Sequence, residues 1–479
     1  MIEYSIAILA TLSFAVTFYI TKIVAVSQTT IGSANKGVVS MFDNELDDDQ
    51  KEAAIRKAGI ELILGGFQIL WRVLVCLLAA AAPIYIAHWT QFMSADVVID
   101  VLMSWEFIVG ASVAIIAIVW LLKPKASDGK SLQGNSYSLP DRLLHMFAFS
   151  SPAVQRKVSK LEQRFFSKKL NAVSENSPIF ITSLARGGTT ALLNALSDVP
   201  GLVTYRYRDM PFITAPLLWA KFSGPVKRNV KRQKRAHGDG LEIDLDSPEA
   251  FDEIYWKLYW PEKYTKKSIK LWTNDDMNSE AKSAMEQSFR ALSALRGASD
   301  SRYLSKNNAN VARLPLLKSM FPTSKIVIPV RHPLAHAASL LRQHNNFLKQ
   351  QTEDDFVRRY MKDIGHLEFG LIHSPIGFDG FDVDAYPKES PNYWLSYWIA
   401  AFQEVKHHTG NCFLVNQDQL RQDPNRIMAD LGQYLGLDIG STDFSSYFLS
   451  RPDKVDASVF DPELVKVAEE LYSSLSANP

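Results

Sequence analysis

Cysteine is nearly absent from this 479-residue chain: there are two, Cys76 and Cys412. Cys76 lies within an apolar run, so the polar part of the chain holds a single cysteine. It cannot close an internal disulfide, which suits a reducing compartment. An N-x-[ST] acceptor sequence is absent throughout. That suits a chain that does not meet a glycosylating lumen. An excess of one charge is lacking too, since 52 Lys and Arg face 51 Asp and Glu. A global nucleic-acid signature is thereby excluded. No internal repeat is visible.

What is present is a short segment built for an anion. Ser177-Pro-Ile-Phe-Ile-Thr-Ser-Leu-Ala-Arg-Gly-Gly-Thr-Thr-Ala191 reads as a strand, a small loop and a helix start. Unpaired N–H groups at a helix start favour an anion. Gly187 and Gly188 let the backbone approach it. Arg186 adds charged donors, and Ser183, Thr189 and Thr190 add hydroxyls. The competing reading is an ordinary strand–turn–helix. A Walker A loop is excluded, because Gly188 is followed by Thr189 and no lysine. No G-x-G-x-x-G opens the helix either.

A second strand–turn–helix runs from Lys325 to Arg342. Pro333 suits a first helical turn. Pro329 cannot donate to a sheet ladder and is expected to weaken the strand. Arg331 stands at the strand exit, with Ser339 two helical turns on.

Together these segments resemble the sulfotransferases that use 3′-phosphoadenosine 5′-phosphosulfate. Arg186-Gly-Gly-Thr-Thr190 is similar to their 5′-phosphosulfate loop. Arg331 and Ser339 are similar to their 3′-phosphate pair. Arg302-Tyr-Leu-Ser-Lys-Asn-Asn308 resembles their strand ending in a lysine, here Lys306. The segment from Cys412 to Leu420 resembles a late strand. The resemblance covers residues 177–475. It implies a P-loop-like α/β domain with a parallel sheet, that donor as co-substrate, and no metal. Ser183, Arg186, Gly187, Gly188, Thr189, Thr190, Arg331 and Ser339 are then the donor-binding residues. Arg186 and Lys306 are expected to stabilise the leaving side of sulfonate transfer.

The acceptor's proton needs a base. The cytosolic branch of the family carries a histidine where this chain has Asn308, and an amide cannot serve. Asp209 is the candidate, with a plain ion pair to Arg206 or Arg208 as the competing role. His332 and His336 are alternatives, with His336 expected to face away from the loop. Val226-Lys-Arg-Asn-Val-Lys-Arg-Gln-Lys-Arg235 is a basic run suited to an anionic glycan, to headgroups, or simply to solvent. Trp256, Tyr259, Trp260 and Trp272 suit either sugar stacking or core.

Residues 5–26, 69–89 and 97–122 are nearly continuous apolar runs, each close to the ~20 residues that cross a bilayer. Arg72 is expected at the cytoplasmic end of the second. Lysine and arginine placement predicts the N-terminus outside, the first loop inside and the large C-terminal part inside. The expected organisation is a membrane region with about three transmembrane helices at 1–125, a linker with basic amphipathic helices at 126–176, and the α/β domain at 177–479. The amphipathic helices are expected either on the membrane surface or against the domain. The implied enzyme is membrane-anchored, faces the cytoplasm (of a bacterial inner membrane) and acts on a glycan or lipid-linked carbohydrate. A kinase-like phosphotransferase and a non-catalytic nucleotide-binding module are the rival classes.

Overall fold

The computed structural model describes residues 2–23, 26–27, 29–30, 48–107, 110–111, 139–223, 233–234, 242–243, 245–249, 251–440, 442–448 and 455–476. The chain forms two compact units, Met1–Gln133 and Gly134–Pro479.

In the first unit, α1 spans Ile2–Ile20 and α2 spans Asp48–Trp89. At 1.5 Å per residue, 19 residues reach about 28 Å, close to a bilayer's hydrocarbon thickness. The apolar stretch of α2, Arg56–Trp89, is longer still. Apolar side chains stand outward on both helices, such as Leu9, Ile63 and Phe67. Arg72 donates from Nε to the Thr21 carbonyl at 2.9 Å, so it lies level with the end of α1. Two helices among the described residues are therefore long and apolar enough to cross a membrane, against the three expected. The second helix begins at Asp48, well before the expected start at 69, because Ala, Glu, Lys, Ile and Leu continue the helical pattern upstream. The third expected run starts as α3, Ala95–Met103. It breaks at Ser104, whose hydroxyl donates to the Val101 carbonyl at 2.6 Å. Residues 112–122 lie outside the described residues.

The second unit opens with α4 (Leu139–Ala148) and α5 (Pro152–Phe165). These are the amphipathic helices, and they pack against the domain. The ring of buried His145 lies 3.1 Å from the carboxylate of Asp363. Glu162 accepts from the Leu218 amide at 2.8 Å, deep enough that burial pushes its carboxyl up to about 7.

Five parallel strands follow: β1 (Ile179–Ile181), β2 (Leu202–Val203), β3 (Arg302–Lys306), β4 (Lys325–Val330) and β5 (Cys412–Asn416). Their order is β2-β3-β1-β4-β5. Alternation along β1 serves two cores. Ile179 and Ile181 pack with Leu192, Leu196, Met428 and Leu431. Phe180 joins the other core, with Phe321, Trp398 and Phe402. Burial on both faces is what a parallel sheet requires. β4 does not weaken at Pro329, which pairs with Val415 of β5. The β1 ladder has already ended at Val327, so β1 asks nothing of the imide. Ile181 pairs with both Lys306 and Val327. The loops leaving three neighbouring strands therefore gather at one end of the sheet, where open α/β sheets bind ligands.

Candidate active site

The first loop ends at α6, Thr189–Ser197. Arg186 takes φ +67° and Gly188 φ +97°. A non-glycine residue in that region is uncommon and needs its surroundings to hold it. The Arg186 carbonyl accepts from Arg331 Nη1 at 2.9 Å. The Gly187 carbonyl accepts from Gln417 Nε2 at 2.8 Å. A side chain at Gly187 would meet the Leu184 carbonyl at 2.8 Å, and one at Gly188 would meet the Gln417 amide at 1.7 Å. The loop is thus wound too tightly for side chains, as a cradle of backbone N–H groups must be. Ser183 has another use. Fully buried, it donates to the Pro329 carbonyl at 2.8 Å and ties the loop to β4.

The second loop leads into α7, Pro333–Glu353. Arg331 is 8% exposed, not a surface ion pair. Ser339 is buried and accepts from Arg186 Nε at 3.3 Å. The two loops therefore share one set of side chains. His332 points outward to Glu469 at 3.2 Å. His336 does not face away from the loop. It is fully buried, with Nε2 2.8 Å from the Ala185 carbonyl.

Lys306 ends β3 and is 4% exposed, paired with equally buried Glu249 at 3.5 Å. Tyr207 donates to the other Glu249 oxygen at 2.6 Å. The 245–249 segment is laid beside 205–208 by backbone bonds, among them the Glu249 amide to the Tyr205 carbonyl at 3.1 Å. A carboxylate beside a buried cation offsets part of its desolvation cost until another anion competes for it. Two positions on, Asn308 joins the first loop. Its Oδ1 accepts from Thr189 at 3.1 Å and its carbonyl from Thr182 at 3.2 Å. Its Nδ2 donates to Glu368 at 3.1 Å. Gln417, Glu249 and Glu368 carried no motif in the sequence. Only tertiary contact reveals them.

Asp209 is 3% exposed. It accepts from Arg296 Nη2 and from the Arg206 amide, each at 2.7 Å. Arg206 and Arg208 pair with Asp246 instead. A carboxylate held this way caps a turn and anchors a helix end. Trp256, Tyr259, Trp260 and Trp272 are buried in the core. The Arg313 guanidinium lies 4.2 Å from the rings of both Trp256 and Trp272, and bonds Glu253 at 3.0 Å. Those aromatics are therefore packing and not a sugar platform. The basic run at 226–235 lies outside the described residues, apart from the backbone of 233–234.

Three solved structures are similar in part. Sulfotransferase STF1 from Mycobacterium tuberculosis H37Rv is 15% identical, with 68% of this chain and 84% of that one covered, at TM-score 0.40. Sulfotransferase STF9 from Mycobacterium avium is 13% identical, with 66% and 77% covered, at TM-score 0.37. A sulfotransferase from Alicyclobacillus acidocaldarius is 11% identical, with 64% and 94% covered, at TM-score 0.32. No curated protein matches the chain. The family model that matches is the Sulfotransferase family, over residues 178–371. That stretch, which matches the Sulfotransferase family model, holds β1, both strand–helix loops, Lys306 and Glu368.

Proposed function

We propose that the chain is a membrane-anchored sulfotransferase that moves a sulfonate from 3′-phosphoadenosine 5′-phosphosulfate to a hydroxyl. One observation carries this reading: Arg186 reaches Ser339 while Arg331 reaches the Arg186 carbonyl. The two loops are thereby joined by direct hydrogen bonds, which supports a ligand with separate 3′ and 5′ phosphates. The residues fit that donor. The tight Gly187–Gly188 turn and the N-terminus of α6 suit the phosphosulfate, with Thr189 and Thr190 supplying hydroxyls. Arg331 and Ser339 suit the 3′-phosphate. The donor supplies an activated sulfur and a good leaving group. The chain's part is to hold it in line and to stabilise charge with Arg186 and Lys306.

The membrane reading rests on two apolar helices with outward apolar faces. Lysines after α1 place the first loop in the cytoplasm. We place the catalytic unit there too, which needs a further crossing between α2 and that unit; part of the apolar run at 97–122 lies outside the described residues. A reagent outside the cell should label Gln91→Cys and miss Lys160→Cys; the reverse pattern would move the enzyme to the other face. A glycan or lipid-linked carbohydrate is the acceptor we favour, from location alone.

A thermal-shift panel on the full chain in detergent tests the donor. Adenosine 3′,5′-bisphosphate should stabilise it, and ATP and NAD should not. Stabilisation by ATP with Mg²⁺ alone would favour a phosphotransferase.

A further inference from the structure

We propose that Glu368 takes the acceptor's proton, an assignment that rests on the sulfotransferase reading above. The competing carboxylates are used elsewhere. Asp209 is locked to Arg296. Glu249 is 4% exposed, with one oxygen on Lys306 and the other on Tyr207. Glu368 differs on both counts. Its side chain is 28% exposed, so a hydroxyl entering from solvent can reach it. Its partner at 3.1 Å is the neutral amide of Asn308, and His366 lies 3.7 Å from its other oxygen.

Its position is set from two sides. The loop that carries it turns at Gly365, with φ +85° against the Glu253 side chain. The His366 amide caps the preceding helix through the Met361 carbonyl at 2.9 Å, and the Ser374 amide returns to the Leu367 carbonyl at 2.8 Å. Asn308 fastens the carboxylate to Thr189 at the phosphate loop. Asn308 itself has no basic atom, but it docks one.

Charge supplies the second argument. A carboxylate near an anion-binding loop opposes anion binding. Glu368 therefore works against donor affinity, and proton transfer gives it a reason to be there. In the step, an acceptor oxygen lone pair forms the new O–S bond. The S–O bond to the 5′-phosphate breaks, and its electron pair leaves on the bisphosphate. The acceptor proton passes to a Glu368 oxygen. Lys306, drawn from Glu249 by the incoming donor, faces the departing charge.

The test uses the full chain in detergent, ³⁵S-labelled donor, and water as the acceptor. Adenosine 3′,5′-bisphosphate affinity is measured alongside. Glu368→Gln should bind the bisphosphate as tightly as wild type or tighter, while sulfate release falls by about 10²-fold or more. Wild-type release in Glu368→Gln would overturn the assignment. So would a matched loss of affinity and release, which marks a structural role. If Glu249→Gln, and not Glu368→Gln, shows slow release at full affinity, the base is Glu249. A wild-type chain that binds no bisphosphate, or binds it and never cleaves the donor, would instead overturn the transferase reading itself.

Discussion

The guanidinium of Arg186 donates to the hydroxyl of Ser339 across 153 positions of sequence, at 3.3 Å. Both residues were legible beforehand, but as members of separate motifs. Their contact ties the two loops together. The variants below probe those loops and the groups around them.

Asp209→Asn should lower stability and leave the two loops intact. The variant weakens a buried, charge-assisted bond to Arg296, at a cost of about 1.5–3 kcal/mol. Bisphosphate affinity per folded molecule should stay at the wild-type value. Urea unfolding beside calorimetric binding checks this. Full stability with lost affinity would return Asp209 to the site.

Gly188→Ala should damage binding through the backbone. The position holds φ +97°, and a methyl group would fall 1.7 Å from the Gln417 amide nitrogen. Gln417 must leave the Gly187 carbonyl to make room. Bisphosphate affinity should drop tenfold or more while the melting temperature shifts little. Unchanged affinity would show that the cradle tolerates a side chain.

Glu162→Gln should stabilise the second unit at neutral and alkaline pH. Burial raises the folded carboxyl from 4.5 to about 7, so the folded state holds a proton that the unfolded chain releases. The group's contribution is full below pH 4.5 and declines as pH rises to about 7. Glutamine keeps an oxygen for the Leu218 amide without the charge. The gain over wild type should grow between pH 4.5 and 7, to about 3 kcal/mol at most, and then level off. A gain independent of pH would contradict the burial argument.

The two strand–turn–helix loops were legible because their pattern is local. Arg186, two glycines and two threonines sit in one turn, and the Arg331–Ser339 spacing is fixed by a single helix. Which carboxylate could serve as a base was not legible. That depends on which one stays reachable after folding, and Asp209 was buried by Arg296 while Glu368 was brought to Asn308 by a distant loop. His336 was misjudged for a similar reason: its helix was right, but its facing depended on how that helix docks on the loop. Pro329 was judged by its missing donor alone, before the end of β1 was known. Core is the commoner role for such aromatics, and burial together with the Arg313 guanidinium beside Trp256 and Trp272 makes it the one seen.

The most direct measurement is calorimetric titration of adenosine 3′,5′-bisphosphate into wild type, Arg186→Ala and Arg331→Ala. Each variant removes a charge-assisted donor, a loss of about 1.5–3 kcal/mol and so tenfold or more in affinity. The account predicts tight binding to wild type and at least that loss in both variants, with the fold preserved by circular dichroism. Equal affinity in all three proteins would contradict it.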